Sequence, residues 1–141
     1  MPDVFTREKR REVMSRIRSK HTKPEDALAR ILDLLGVRYE RYAKICGHTV
    51  DFWLPDHNTV IEYRSCFWHF CPLHGRIPET NRDFWEKKLR RNRERDRELE
   101  RRLEEAGIRL VVIWEHDADP AKAEPLIRAR LMRHGEGARP V

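Results

Sequence analysis

Two cysteines, two histidines and a Phe-Trp pair fall within nine residues, Cys66-Phe67-Trp68-His69-Phe70-Cys71-Pro72-Leu73-His74, in a chain that has only three cysteines. Thiolate and imidazole are the donors Zn²⁺ prefers, and a structural tetrahedron needs four of them. Cys66, Cys71 and His74 supply three. His116, just past the apolar run Leu110-Val111-Val112-Ile113-Trp114, is the distant candidate for the fourth. A strand that delivers His116 beside the first cluster would complete a two-Cys, two-His site. The competing reading is a pair of buried or loop cysteines with incidental histidines. A disulfide fits poorly, since nothing resembles a signal peptide or a small Cys-dense secreted scaffold. His69 is left over from the metal count. A histidine beside large aromatics is a candidate general base near neutral pH.

The acids with chemical promise are Asp51 and Glu62. Asp51 followed by Glu62-Tyr63-Arg64 is similar to the Asp…Glu-x-Lys pattern of metal-dependent nucleases. Two carboxylates on adjacent strands can share Mg²⁺, a hard ion that also binds a scissile phosphate. Arg64 in place of lysine keeps the positive charge but cannot readily serve as a base.

The elements that must hold these residues follow from periodicity. Residues 1–23 carry eight Lys or Arg against three acids, with Val13, Met14 and Ile17 as a thin apolar stripe. A short basic helical arm is expected there, either lying across phosphates or simply solvated. Thr22 to Glu25 has the spacing of a capping box, with Pro24 in the first turn. Ala27, Leu28, Ile31, Leu32 and Leu35 then repeat at helical spacing up to Gly36. Strands are expected over Val37–Tyr42, His48–Leu54 and Thr59–Tyr63. Pro55-Asp56-His57-Asn58 is the turn between the last two. Alternation along the second strand puts Val50, Phe52 and Leu54 on one face and Asp51 with Trp53 on the other.

Residues Asp83 to Ala106 read as one long charged helix. Its stripe runs Trp85, Leu89, Asn92, Asp96, Leu99, Leu103, Ala106. Asn92 and Asp96 interrupt the stripe, and burying an amide and a carboxylate is costly without partners. A functional site or a pair of supporting hydrogen bonds explains the interruption better than a plain core helix. Arg109–Glu115 reads as a central strand covered on both sides. A last helix starts or breaks near Pro125, and residues 134–141 are expected to form a flexible tail.

The chain has 141 residues, 39% hydrophobic and 38% charged, with a net charge of +6 and a pI near 9.5. One domain, residues 1–133, is expected, with a modest core. The basic balance favours a polyanionic partner. No apolar run approaches the roughly 20 residues that span a bilayer.

Taken together, Cys66-Phe67-Trp68-His69, Cys71-Pro72 and His74 closely resemble the very short patch repair (Vsr-type) endonucleases. The resemblance continues in order through Met14, Thr22-Lys23-Pro24-Glu25, Asp51-Phe52, Pro78, Phe84-Trp85, Asn92, Arg95-Asp96 and Trp114-Glu115-His116. It covers roughly residues 7–116. It implies an α/β, restriction-endonuclease-like fold: a central mixed sheet flanked by helices, with a structural zinc site. It also implies a Mg²⁺-dependent enzyme that nicks one strand of duplex DNA beside a T:G mismatch.

By that resemblance Asp51 is the metal ligand, Tyr63 adds a backbone carbonyl, and His69 is the base or water-positioning group. Glu25 gains a role near the metal beside its capping role. Phe67, Trp68 and Trp85 become an aromatic wedge that replaces a base-stacking partner; the alternative is an aromatic core cluster. Met14, Lys88, Asn92 and Arg95 match DNA-contacting positions. The expected setting is a cytoplasmic monomer on double-stranded, mismatched DNA, with no membrane.

Several residues depart from the family pattern. Glu62 stands at a normally apolar position, and Arg64-Ser65 replaces Asp-Gly or His-Gly. Val50 replaces a common proline, and His116 replaces the cysteine after Trp-Glu. Two other readings therefore stay open. One is a related nuclease using Asp51 and Glu62 on another target, in restriction or transposition. The other is a zinc-stabilised DNA-binding module without catalysis.

Overall fold

In the computed structural model, residues 22–137 are described; the basic arm with Met14 and residues 138–141 lie outside them. Helix α1 (Lys23–Leu34) starts behind Thr22 with Pro24 in its first turn and buries Leu28, Ala29, Ile31 and Leu32. Gly36 carries the chain out of the helix at φ +71°, a conformation that strains any side chain. The expected capping box does not form. Thr22 makes no side-chain cap bond, and Glu25 instead accepts a 2.6 Å hydrogen bond from the Tyr42 hydroxyl. A carboxylate gains more from a phenol with a guanidinium behind it than from one exposed backbone amide.

Six short strands follow: β1 (Glu40–Arg41), β2 (Lys44–Ile45), β3 (His48–Thr49), β4 (Phe52–Leu54), β5 (Thr59–Arg64) and β6 (Arg109–Trp114). The main sheet runs β1-β4-β5-β6, while β2 and β3 form their own hairpin. β1/β4 and β4/β5 are antiparallel; β5/β6 is parallel. The expected β4–β5 hairpin is present and turns through Pro55–His57 and a left-handed Asn58.

The expected strand His48–Leu54 is broken at Val50-Asp51. The Tyr42 amide donates to the Asp51 carbonyl at 3.1 Å, and the Val50 amide to the Ala43 carbonyl at 2.8 Å. The break shifts the alternation. Val50 packs with Trp53 and Val60, whereas Phe52 and Leu54 pack on the opposite face with Ile61 and Val111. All three apolar residues are fully buried, so simple alternation could not reveal a change of face. The first strand is likewise two residues long rather than six.

Helix α2 (Arg82–Glu105) lays Leu99 and Leu103 on one face of the sheet. Helix α3 (Pro120–Gly137) and α1 cover the other with Leu28, Leu32, Ile127 and Leu131. The α2 stripe is buried at Leu89, Asp96, Leu99 and Leu103, but Ala106 is exposed. β6 is an edge strand, not the central one; β5 is the covered strand in the middle. The run of branched residues in β6 reflects packing against its single neighbour and the flanking helices. The last helix extends through Pro125 to Gly137, four residues past the expected end of the domain at 133. The architecture is thus a mixed sheet with helices on both faces. No helix among the described residues is long and apolar enough to cross a membrane.

Candidate active site and metal centre

The parallel register of β5 and β6 sets Arg64 opposite Trp114. Two residues beyond each pair member come Cys66 and His116, so both strands end beside the same point. Cys71 and His74 close on it from the turns that follow Cys66. His116 Nδ1 lies 3.2 Å from Cys66 Sγ and 3.6 Å from Cys71 Sγ. His74 Nδ1 lies 4.0 and 3.9 Å from the same two sulfurs. The four donor atoms all fall within 4.8 Å of one another. Zn–S and Zn–N bonds of ordinary length put sulfur about 3.5 Å from nitrogen across a tetrahedral ion, so these spacings suit one small cation. The Leu73 amide donates to Cys71 Sγ at 3.3 Å. The Cys66 amide donates to Glu115 Oε1 at 2.9 Å and ties the two strand ends together.

On the other side of Tyr63, the break before β4 presents Asp51. Its Oδ2 accepts the Tyr63 amide at 2.7 Å, while its own amide donates to Glu62 Oε2 at 3.1 Å. Burial pushes the Asp51 carboxyl up to about 6; the Tyr63 hydrogen bond opposes the rise and neighbouring Glu25 adds to it. Burial, then the charge of Asp51, pushes Glu62 up to about 8. Asp51 and Glu62 thus share a buried corner, and the charge of Glu25 reaches Asp51 there. Glu25 enters this corner from α1, with Tyr42 and Arg41 behind it.

His69 is held by its Nδ1, 2.7 Å from Asp96 Oδ2. Asp96, on α2, is 8% exposed, and this bond is the partner that the interrupted stripe required. Asn92, the other interruption, donates to the Trp68 carbonyl at 3.0 Å and so fixes the loop between Cys66 and Cys71. Arg64 stands where the nuclease pattern has lysine. It is buried, with Nη1 2.8 Å from Glu100 Oε2 and Nε 3.9 Å from Asp96 Oδ2. No sequence signal pointed to Glu100, one acid among many on an exposed helix face.

Phe67, Trp68 and Trp85 pack edge to face or tilted at centroid distances of 5.1 to 5.6 Å. They are half-buried and belong to neither core cluster. Phe84 extends the group at 5.2 Å from Trp85 and is 58% exposed. The rings therefore form a partly open platform outside the two core clusters. Lys88 is half-buried. Arg95 is exposed and lines an open depression on α2 with Arg91, Glu94 and Arg101.

Residues 2–73 match the family model described as DNA mismatch endonuclease Vsr. The chain is also 39% identical over 135 residues to the Type II nicking enzyme V.NmeAIP of Neisseria meningitidis serogroup A, covering 94% of each. This chain belongs to the Vsr family. It is 33% identical over 117 residues to the DNA mismatch endonuclease Vsr of Escherichia coli K12, covering 82% of this chain and 74% of that one. The catalytic domain of the homing endonuclease I-Bth0305I aligns with a TM-score of 0.49 and 22% identity, over 81% of this chain and 98% of that chain. The Vsr family match takes in Glu25, Asp51, Glu62 and His69 and stops short of His74, Asp96 and His116. Those last three are brought to the Vsr segment by the fold.

Proposed function

We propose that this Vsr-family chain is a Mg²⁺-dependent DNA endonuclease of restriction-endonuclease-like fold, nicking one strand of a duplex at or beside a T:G mismatch. The observation that carries the reading is the His69–Asp96 pair close to the buried Asp51, whose amide meets Glu62. Relatives named as nicking enzymes and as a mismatch endonuclease support it. A binding module without catalysis has no need of an oriented imidazole close to a buried acid.

Asp51 and the Tyr63 main-chain carbonyl would hold Mg²⁺, with Glu25 close by. When bound, that ion supplies polarisation of the scissile phosphoryl group and offsets the growing charge. The protein's own part is proton handling. With Nδ1–H donating to Asp96, the basic nitrogen of His69 is Nε2, which takes the proton of the attacking water. Asp96 then stabilises the imidazolium, with Arg64 beside it. Cys66, Cys71, His74 and His116 would hold a structural Zn²⁺ that fixes the loop carrying His69. Double-stranded DNA is the substrate, met by a cytoplasmic monomer of one domain. Met14, Lys88, Asn92 and Arg95 are the proposed contacts beyond the aromatic platform. The test is nicking of matched and T:G-containing duplexes with Mg²⁺ or EDTA. Mg²⁺-dependent nicking confined to the mismatched duplex is expected, and no nicking of either duplex overturns the reading.

The second reading, a site in which Glu62 shares the metal, is favoured by the 3.1 Å contact between Glu62 and the Asp51 amide. Glu62→Gln separates the two and keeps an oxygen for that amide. Near-normal nicking supports the one-acid site, and a loss as deep as that of an Asp51 variant supports the shared one. The same variant carries a pH signature in EDTA. Carboxyls raised in the folded state, here to about 6 and about 8, bind more protons folded than unfolded above roughly pH 4. The stability they contribute is complete below that value and lost as pH rises to 8. Thermal melts from pH 5 to 8.5 should show this decline, and Glu62→Gln should flatten its upper half.

The platform makes its own prediction. A base stacked on an aromatic is worth about 1–3 kcal/mol by alanine substitution. Trp68→Ala should weaken binding to a T:G duplex by roughly 5- to 150-fold, and binding to a matched duplex less. A large fall in melting temperature without that selectivity would mean the ring is only packing.

A further inference from the structure

Tyr42 adopts φ +59°, a left-handed conformation that is costly for a bulky side chain and persists only where its surroundings enforce it. What the backbone achieves there is a double attachment. The Tyr42 amide donates to the Asp51 carbonyl at 3.1 Å, pinning the bend from which the Asp51 side chain projects. The Tyr42 hydroxyl donates to Glu25 Oε1 at 2.6 Å, pinning an acid that arrives from a different element. Arg41 backs the arrangement. Its Nη2 donates to the Tyr42 oxygen at 2.9 Å and lies 3.7 Å from Glu25 Oε1. Arg41 is itself fixed by Asp26 at 2.9 Å and by lying over the Tyr42 and Phe52 rings.

We propose that Tyr42 is a positioning residue whose amide sets Asp51 and whose hydroxyl, supported by Arg41, holds the Glu25 carboxylate beside it. The inference rests on the reading of Asp51 as a cation ligand, and it adds the device that brings the second acid to bear. A simple β-strand through residue 42 would turn the ring away from Glu25. The left-handed residue is what lets one side chain serve both acids. Glu25 held this way adds its charge to the corner where Asp51 sits, consistent with its influence on that carboxyl.

The experiment uses Mn²⁺ titrated into the full chain without DNA, followed by calorimetry, together with thermal melts in EDTA. Tyr42→Phe keeps the ring and backbone and removes only the hydroxyl. It should weaken Mn²⁺ binding about tenfold, the effect of one hydrogen bond to a charged group. In a Glu25→Ala background the same change should cost nothing further, in Mn²⁺ affinity or in melting temperature, because its target is gone. Unchanged Mn²⁺ affinity in Tyr42→Phe overturns the proposal. So does an equal loss of melting temperature in both backgrounds, the mark of a merely structural tyrosine. Asp51→Asn is the separate control. If it binds Mn²⁺ as wild type does, the reading of Asp51 fails, and the melts in EDTA still decide whether Tyr42 acts through Glu25.

Discussion

Asp51→Asn should lower nicking by at least about a thousandfold while leaving the folded protein intact. A metal-held phosphoryl group owes several kcal/mol of transition-state stabilisation to the ion, and each 1.36 kcal/mol is about a factor of ten in rate. The amide cannot supply the charge that holds a hard divalent cation. It does supply an oxygen for the Tyr63 amide, which Asp51 Oδ2 accepts at 2.7 Å. Stability should not fall with activity. Burial and Glu25 hold the Asp51 carboxyl at about 6, so at pH 7.5 in EDTA the wild type keeps a buried charge among other acids. Asparagine removes it, and the variant should melt at the same temperature or above. Affinity for duplex DNA in EDTA should likewise hold or improve, since one negative charge near the phosphates is gone. Nicking within tenfold of wild type would remove Asp51 from the mechanism. A lower melting temperature would mean its carboxylate is structural.

The local elements were readable where one physical signal dominated. The apolar spacing of α1, the proline turn before Asn58, and glycine at the ends of α1 and α2 each fix their element almost alone. The chain breaks these rules where the site lies. Val50, Phe52 and Leu54 are all fully buried, so their alternation could not show that the strand changes face at Asp51. The capping spacing of Thr22 and Glu25 is real in sequence, but Tyr42 and Arg41 offer Glu25 a stronger partner from 16 or 17 positions away. Such non-local competition leaves no periodic trace. β6 looked central because branched residues fill both its faces, whereas strand order depends on which neighbours pair. The Cys/His cluster was legible for the opposite reason. Cysteine and histidine are scarce, and three of the four ligand candidates lie within nine residues. The interrupted α2 stripe announced that Asn92 and Asp96 need partners. It could not name Trp68 and His69, because that pairing depends on the loop anchored by Cys66 and Cys71.

Loss of that anchor should have the largest structural effect. Cys71 is 1% exposed, its sulfur lies 3.6 Å from His116 Nδ1, and its backbone carries the Cys66 and Gly75 hydrogen bonds of the loop. Structural zinc contributes folding free energy directly, on the order of 10 kcal/mol in small isolated domains. In a domain with its own core only part of that is at stake. Cys71→Ser should release the metal and lower the melting temperature by about 10 °C, the equivalent of roughly 3 kcal/mol at this size. Activity should fall with it, because His69 sits on the loop between two ligands and reaches Asp96 only if that loop is held.

Gly75→Ala tests the same point without touching a ligand. A Cβ at residue 75 would lie 2.6 Å from the Cys71 carbonyl oxygen and 2.9 Å from the Phe70 carbonyl carbon, so the loop must open. Both variants should lose zinc by elemental analysis and melt lower, with Gly75→Ala less affected and partly restored by excess Zn²⁺. Wild-type protein that carries no zinc after purification in metal-replete buffer would end the assignment. Wild-type zinc content in Cys71→Ser would remove that residue from the ligand set.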